Sequence, residues 1–256
     1  MFFSLPYAYP PAGLYTGAHF LLLGVTLTLV AAGLYAARHA DEKTVRRIVR
    51  ISVAVLWALE VCKILFVLLV TRSRNPNDFV PLYYCSLTLY AGLFSAVGRS
   101  FWRRLGDVFL ATGGLVGGLS FLLCPNTSLP RYPAFHFISF HSFLLHGLMV
   151  FLALLLLLRM RLDLSLSDIR YPAGLVSVLC VVAYVFNAVY DRVSGQTVAN
   201  LMFVSKDFPG TPIAFLYRIS GPLFPVFMWA IQSFCPYLTV FGLWYLFTRG
   251  HKRHHT

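Results

Sequence analysis

Charged side chains are scarce in this sequence, and acidic ones are the scarcest. Only 12% of the 256 residues are charged and only 9 are acidic, whereas 58% are hydrophobic. Soluble globular domains usually carry about 25% charged residues, so this composition excludes a water-soluble globule. We therefore predict an all-α fold, a polytopic membrane helix bundle that forms a single transmembrane domain over residues 1–256.

Cysteine pairing patterns are also missing. The five cysteines, at positions 62, 85, 124, 180 and 235, form no CxxC pair and show no zinc spacing. Most of them fall inside apolar runs, so the spacing predicts neither a disulfide framework nor a metal cluster. We expect no metal and no cofactor.

The basic residues are not distributed as they are in a nucleic-acid-binding protein. The formal net charge is +12, but the Lys and Arg residues cluster in short loops between apolar runs rather than along one soluble face. The charge therefore reports membrane topology. We expect no nucleic-acid partner.

Seven apolar runs are each long enough for about one bilayer crossing. They cover residues 14–37, 49–70, 80–98, 107–124, 135–158, 172–192 and 222–248. No Lys or Arg precedes the first run and no small-residue cleavage site follows it, which argues against a signal peptide. Most of the 21 basic residues fall in loops on one side of these seven spans, so the positive-inside rule predicts an external amino terminus and a cytoplasmic carboxyl terminus.

The run from Phe135 to Leu158 contains three imidazoles, those of His136, His141 and His146. Ionisable side chains inside a transmembrane helix are usually retained for substrate, ions or catalysis. Each five-residue step turns a helix by about 140°, so the three histidines cannot share one face, whereas His136 and His146 lie within about 80° of each other. At most two of them can point at one reacting atom.

Glu60 and Lys63 lie three residues apart near the middle of the second run, on one helical face. We expect them to form a structural ion pair. In one interpretation, each charge neutralises the other so that the helix can enter the membrane. In another, Glu60 orients a nearby histidine or accepts its proton.

The segment from Asp191 to Gly221 is long for an ordinary connection, and such loops are usually functional. It contains an apolar stretch, Ile213 to Tyr217, between Pro212 and a Gly-Pro break. We predict a re-entrant or interfacial helix over a polar cavity, because non-helical backbone at membrane depth needs protein or water to satisfy it. The candidate substrate-binding residues of this cavity are Asn187, Asp191, Asn200 and Lys206, together with His136.

Cys85 is the candidate nucleophile. It falls in the first turns of the third run beside Tyr83, Tyr84 and Ser86, on the same outer side as the start of the histidine run. A thiol and an imidazole in one partly dry cavity can act as nucleophile and base, with an Asp, Asn or Glu holding the imidazole tautomer. Depth at 1.5 Å per residue favours His141 as the partner. The other four cysteines are interpreted as small buried hydrophobic residues.

Three short motifs resemble those of the YwaF-like membrane proteins, the superfamily that includes the eukaryotic transmembrane protein 164. Val80-Pro81-Leu82-Tyr83-Tyr84-Cys85 resembles their Leu-Pro-Leu-His-Leu-Cys element, and Phe143-Leu144-Leu145-His146-Gly147 resembles their Phe-x-x-His-Gly element. Asn200-Leu201-Met202-Phe203 resembles their Asn-Tyr-Met-Tyr element and is followed by a Gly-Pro pair at Gly221-Pro222.

This resemblance implies a polytopic lipid-modifying enzyme, since the eukaryotic members are described as acyltransferases that act on phospholipids through a cysteine. Carried over by position, it implies that Cys85 holds the acyl group and that His146 is the paired histidine. The sequence departs from the bacterial pattern at Tyr84 and adds His136 and His141. The partner of Cys85 is therefore either His146 or His141.

Two functions from different classes follow. The first is a phospholipid acyltransferase or acyl-lipid hydrolase of a bacterial plasma membrane, with phospholipids and lysolipids as its partners. The second is a non-enzymatic lipid or small-solute binding protein or transporter that uses the same cavity, with Glu60, Lys63 and the histidines as a relay. The hydropathy shows no inverted repeat, which favours the enzyme.

Overall fold

A computed structural model describes residues 1–160 and 162–253, with side chains up to residue 247. These residues form helices and no β-strand, which confirms the all-α prediction. The α-helices are α1 (Gly17–Ala36), α2 (Glu42–Phe66), α3 (Pro76–Phe79), α4 (Leu87–Val97), α5 (Phe101–Phe109), α6 (Leu115–Leu123), α7 (Phe137–Leu158), α8 (Arg170–Ser194), α9 (Pro212–Ser220) and α10 (Phe224–Arg253).

Short non-α segments extend several of these helices. A π-helix, Val67–Thr71, continues α2, and a second one, Leu110–Gly114, joins α5 to α6. One-turn 3₁₀ helices cover Leu166–Ile169, Leu201–Phe203 and Gly221–Leu223.

Six stretches of the described chain are long and apolar enough to cross a membrane. They cover residues 17–36, 42–71, 101–123, 137–158, 166–194 and 212–247. The third predicted run, 80–98, instead forms α4, an 11-residue helix. Pro81 and the turn that follows it interrupt the run, because proline lacks the N–H that would continue a helix and restricts the residue before it. The described chain therefore has six helical spans of membrane length where seven apolar runs were predicted.

The chain divides into two compact units. The first unit contains residues 1–74 and 88–162, and the second contains residues 75–87 and the chain from residue 163 onward. Each unit is described by itself below. The prediction of a single transmembrane domain stays a prediction.

Helix α7 is the centre of the first unit and packs against α1, α2, α6 and the π-helix before α6. Small residues allow the backbones to approach closely. A Cβ at Gly118 would come within 2.8 Å of Val150, and one at Gly147 would come within 2.5 Å of Thr26. The helix that contains His141 and His146 is therefore closely enclosed by its neighbours within this unit.

Helix α4 runs antiparallel beside the first half of α2. The Trp57 indole donates to the Leu89 carbonyl at 3.1 Å, and the Arg50 guanidinium donates to the Ala96 carbonyl at 3.3 Å. Residues 72–87 must therefore return the chain over a rise of about 20 Å, from the end of the α2 extension to the level of Trp57. Apart from the single turn of α3, they do so without α-helix.

In the second unit, α8 and α10 pack against each other. The Trp229 indole donates to the Ser177 hydroxyl at 2.8 Å, and the Tyr237 hydroxyl donates to the Ser165 carbonyl at 2.5 Å. Helix α9 has no buried residue and leaves Phe215 and Ile219 exposed. The prediction of a re-entrant or interfacial segment between residues 191 and 221 stays a prediction.

Candidate active site

Cys85 is half-buried in the turn that precedes α4. Its segment belongs to the second unit and contacts another loop of that unit through the main chain, where the Met202 N–H donates to the Leu82 carbonyl at 2.8 Å. The rings of Tyr83 and Phe203 also lie 5.0 Å apart, centre to centre. Two of the three motifs that suggested a family, residues 80–85 and 200–203, are therefore in direct contact.

The backbone at this contact is strained. Met202 and Phe203 have φ angles of +56° and +51°, a region that residues other than glycine rarely adopt. Such strain persists only where the surroundings fix it, and it is concentrated at functional sites. Here Gln232 of α10 donates from Nε2 to the Met202 carbonyl at 2.9 Å. Sequence reasoning named Met202 only as part of a motif, because left-handed backbone at a non-glycine residue has no sequence signal, and it missed Gln232, whose partner is 30 residues away.

Asn187 and Asn200 hold the loop that contains this strained turn. The Asn187 side chain accepts the Leu201 N–H at 2.9 Å and donates to the Leu201 carbonyl at 3.2 Å. Asn200 accepts the N–H groups of Ser205 and Lys206 through Oδ1, at 3.2 and 3.0 Å. The two side-chain amides therefore form hydrogen bonds with backbone groups of this loop that regular secondary structure would otherwise satisfy.

Asp191 closes the same loop from the end of α8. Its Oδ1 accepts the Val198 and Ala199 N–H groups at 3.0 and 2.9 Å, and its Oδ2 pairs with the Lys206 ammonium. Lys206 also donates to the Ala199 carbonyl at 3.1 Å. These contacts account for both charges, and the substrate-binding role of the two residues stays a prediction.

A groove of about 300 Å³ lies beside this loop, within the second unit. Its polar side is formed by Asn187, Asp191 and Ser205, and Phe224 and Pro225 form part of its apolar side. An amphipathic groove of this kind suits a molecule with a polar head and an apolar body.

In the first unit, His136 is the N-cap of α7 rather than a residue within it. Its Nδ1 accepts the Ile138 N–H at 3.0 Å, and its Nε2 donates to the Ser4 carbonyl at 3.1 Å. The ring stacks on Tyr132 with centres 4.3 Å apart, and burial lowers the pKa of His136 below its usual value. Both ring nitrogens are thus engaged in structure, and a substrate contact by His136 stays a prediction.

His146 has one engaged and one available nitrogen. Nδ1 lies 2.7 Å from the Ser142 carbonyl, which can only accept, so Nδ1 carries the proton and Nε2 is the basic nitrogen. Phe121 stacks on the ring with centres 3.7 Å apart. Nε2 is buried and has no hydrogen-bond partner among the described residues. A fixed tautomer with a free basic nitrogen is what a general base requires.

His141 is 6% exposed, and neither of its ring nitrogens has a partner within the described chain. The Leu59 backbone approaches the ring without reaching hydrogen-bond geometry. The Lys63 ammonium acts electrostatically on both His141 and His146. Its Nζ lies 2.6 Å from Glu60 Oε1, and the Glu60 side chain is only 3% exposed. The first unit thus brings two imidazoles and one ion pair together in its core.

The sequence profile of the TMEM164 family matches residues 14–249, which is almost the whole chain. The chain belongs to the TMEM164 family. No curated protein and no solved structure matches it. Together with the six apolar helices, this membership identifies a multi-pass integral membrane protein.

The candidate residues of this TMEM164 family member are divided between the two units. Cys85, Asn187, Asp191, Asn200 and Lys206 belong to the second unit, whereas the three histidines, Glu60 and Lys63 belong to the first. The pairing of Cys85 with a histidine therefore stays a prediction. Within the residues that the structure describes, no group of three His, Cys, Asp or Glu side chains is arranged to hold a metal ion.

A second buried ion pair in this family member was missed by sequence reasoning. Arg46 of α2 donates to both carboxylate oxygens of Asp107 on α5, at 2.8 and 2.7 Å, and the Ser95 hydroxyl donates to Asp107 at 2.5 Å. Asp107 is 3% exposed. An acidic residue at the start of an apolar run was the available signal, but its partner is 61 residues away. These hydrogen bonds hold α5 against the first turns of α2 and against the last turn of α4, at one end of the first unit.

The Glu60–Lys63 pair gives a stability prediction. Glu60→Met or Lys63→Met alone should cost about 3–5 kcal/mol, because each leaves the other charge unpaired in the core of the first unit. The double variant should be much less destabilised, since two apolar side chains of similar length replace the pair. Thermal unfolding in detergent of the two single variants and the double variant measures this. Equal losses in all three would show that the two charges do not stabilise each other.

Proposed function

We propose that this TMEM164 family protein is a membrane-embedded phospholipid acyltransferase, or an acyl-lipid hydrolase when water is the acceptor, with Cys85 as its nucleophile. The observation that supports this most is the position of Cys85. It lies three residues after Leu82, whose carbonyl accepts a hydrogen bond from the strained Met202 turn. The segment between α2 and α4 that contains Cys85 has little helix of its own. Non-helical backbone at membrane depth requires a protein-lined or water-filled cavity, which is where a thiol can meet a lipid ester.

The reaction has two steps. A histidine takes the Cys85 proton, Sγ attacks the ester carbonyl of a phospholipid, and the ester C–O bond breaks to leave a thioester and a lysolipid alcohol that regains the proton. A second hydroxyl, from a lysolipid or water, then attacks the thioester and restores the thiol. The groove beside Asn187 and Ser205 suits the lipid headgroup and glycerol, because it has one polar and one apolar side.

His146 is the better candidate for the base. Its tautomer is fixed by the Ser142 carbonyl, so that Nε2 is always the free basic nitrogen. His141 has no such constraint, and its two nitrogens are both without a partner among the described residues. The fixed tautomer and the family resemblance favour His146, and helical depth favours His141.

The test of this function is the covalent intermediate. Purified protein incubated with a phospholipid should gain the mass of one acyl chain, and neutral hydroxylamine should remove it, because hydroxylamine cleaves thioesters readily. Intact-mass spectrometry followed by peptide mapping measures the gain and locates it. If no acyl mass ever forms while the phospholipid still binds, the acyltransferase proposal is wrong.

One observation favours a second function. Two buried histidines with free nitrogens lie near an ion pair in the first unit, a combination also used for proton or ion relays in transporters. A lipid or small-solute binding protein or transporter would bind its ligand without forming an acyl adduct. The intermediate experiment therefore separates the two functions.

The proposal includes an orientation in a bacterial plasma membrane, with the amino terminus and residues 191–221 outside. The Arg46–Asp107 and Arg50–Ala96 contacts place the basic loops before α2 and before α5 at one end of the first unit. The positive-inside rule makes that end cytoplasmic. Residues 72–87 together with α4 would then form a seventh crossing that is only partly helical.

This orientation predicts the labelling of a cysteine placed after α8. Ser194→Cys, at an exposed residue, should react with a membrane-impermeant maleimide added outside intact cells. Thr44→Cys, exposed at the start of α2, is the matched control and should react only after the cells are opened. Labelling of Ser194→Cys from the cytoplasmic side alone would overturn the orientation.

A further inference from the structure

A second groove lies in the first unit, at the end where α1 leads into α2. It has a volume of about 620 Å³, twice that of the groove beside Asn187. Its apolar surface comes from small residues at the end of α1 together with Ile48 and Phe151. Its polar edge is formed by His39, Asp41 and Thr44. No residue of the proposed active site contributes to it.

The groove lies at a membrane boundary. Helix α1 ends at Ala36 and α2 begins at Glu42, and both are apolar and long enough to span a bilayer. The groove extends from the connection between them down to Gly33 and Phe151. Its apolar part is therefore at the level of lipid acyl chains and its polar part at the level of headgroups.

The surroundings of the groove are strongly basic. Among the described side chains at this end of the unit, exposed basic residues outnumber exposed acidic ones; they are Arg38, Lys43, Arg47, Arg50, Arg99, Arg103 and Arg159, against Asp41 and Glu42. Asp41 is already engaged, since its Oδ1 accepts the Thr44 N–H at 3.0 Å as the N-cap of α2. The other acidic residue here, Asp107, is buried against Arg46. Lys43 and Arg47 precede the groove-lining residues Thr44 and Ile48 on α2, so their Cβ atoms lie about 100° around the helix from the groove, and only their long, exposed side chains can bring a charge to its edge.

We propose that this groove binds an anionic phospholipid, with an acyl chain against Ile48 and Phe151 and the headgroup phosphate beside Lys43 and Arg47. The positive surroundings favour a net negative headgroup over a zwitterionic one. The apolar wall at acyl-chain depth favours a lipid over a soluble phosphate. The site is separate from the Cys85 chemistry, so the proposal does not depend on the acyltransferase function.

The test compares two lipids that differ only in headgroup. Dioleoyl-phosphatidylglycerol should be retained in native mass spectrometry and should raise the unfolding temperature in detergent more than dioleoyl-phosphatidylcholine does at the same concentration, and this excess should disappear when the groove is filled. The double variant Lys43→Gln/Arg47→Gln should bind phosphatidylglycerol about 20- to 30-fold more weakly at low salt, at about fivefold for each basic residue lost. Ala36→Trp, which keeps every charge and fills the groove, should also weaken it.

The matched control is Arg72→Gln/Arg74→Gln, which removes the same charge from two exposed residues of the first unit beyond the opposite end of α2 and should leave retention unchanged. Equal retention of the two lipids would overturn the proposal. So would equal weakening by the control variant, or normal binding by Ala36→Trp, since either would indicate a diffuse charge effect without a defined groove. Displacement of phosphatidylglycerol by glycerol phosphate at similar concentration would show that the headgroup alone is recognised, which also contradicts a lipid site.

Discussion

Cys85→Ala should abolish the acyl adduct that forms when the purified protein is incubated with phospholipid. The reason is that the thioester requires a sulfur nucleophile, and Cys85 is the proposed one. Cys85→Ser is the size-matched companion. A serine hydroxyl is a much weaker nucleophile than a thiolate, and any adduct that it formed would be an oxygen ester that resists mild hydroxylamine. Intact mass before and after hydroxylamine distinguishes the three proteins.

The exposed cysteines of the chain supply the control for this experiment. The prediction that the other four cysteines are buried is wrong for Cys62 and Cys235, which are exposed, whereas Cys85 is half-buried. A nonspecific acyl transfer to thiols would therefore modify these two. Changing either to alanine should leave the adduct unaltered. If Cys85→Ala retained a hydroxylamine-sensitive adduct that Cys62→Ala or Cys235→Ala lost, Cys85 would not be the nucleophile.

The helices were predictable because hydropathy and length depend only on local composition. All six membrane-length stretches overlap predicted apolar runs. The third run was different because hydropathy does not register backbone breaks. Its residues are apolar, but Pro81 and the turn at 84–86 prevent a helix before Leu87. The same break releases the Cys85 segment from regular structure, so the feature that was hardest to predict is the one that positions the candidate nucleophile.

The polar residues of the second unit could be identified from the sequence, but their hydrogen-bond partners could not. Asn187, Asp191, Asn200 and Lys206 stand out in an apolar chain, and they do lie together around one loop. However, their hydrogen bonds go mainly to main-chain groups of that loop, which no side-chain pattern specifies. The backbone of a loop without secondary structure must be satisfied by side chains, and this demand appears only once the loop conformation is known.

The histidines could also be identified from the sequence, whereas their contacts could not. Helical periodicity treated His136 as a residue within α7, but it precedes Phe137 and caps the helix. Helix ends are set by capping contacts, here from the Ile138 N–H to His136 Nδ1, and the capping ring is held at its other nitrogen by the Ser4 carbonyl, 132 residues away. Depth arithmetic favoured His141, but depth carries no information on which ring nitrogen is protonated. What distinguishes them is the Ser142 carbonyl, because it fixes the tautomer of one ring only.

His146→Ala should slow the formation of the Cys85 adduct by about 10²- to 10⁴-fold, the usual contribution of a general base. The His146 Nε2 is the free basic nitrogen of a fixed tautomer, so its loss leaves the thiol to ionise without assistance. The rate of adduct formation at saturating phospholipid is the measurement. In the variant this rate should also rise steadily with pH, since hydroxide in solution replaces the missing base.

His141→Ala is the matched variant on the same helix, at a residue that is 6% exposed, as His146 is. It should reduce the rate far less, and the unfolding temperatures of both variants show whether either change merely disrupts packing. A large loss in His141→Ala with a normal rate in His146→Ala would assign the base to His141, in agreement with helical depth and against the family resemblance. Normal rates in both variants, with Cys85→Ala still inactive, would keep the nucleophile and remove both histidines from the mechanism.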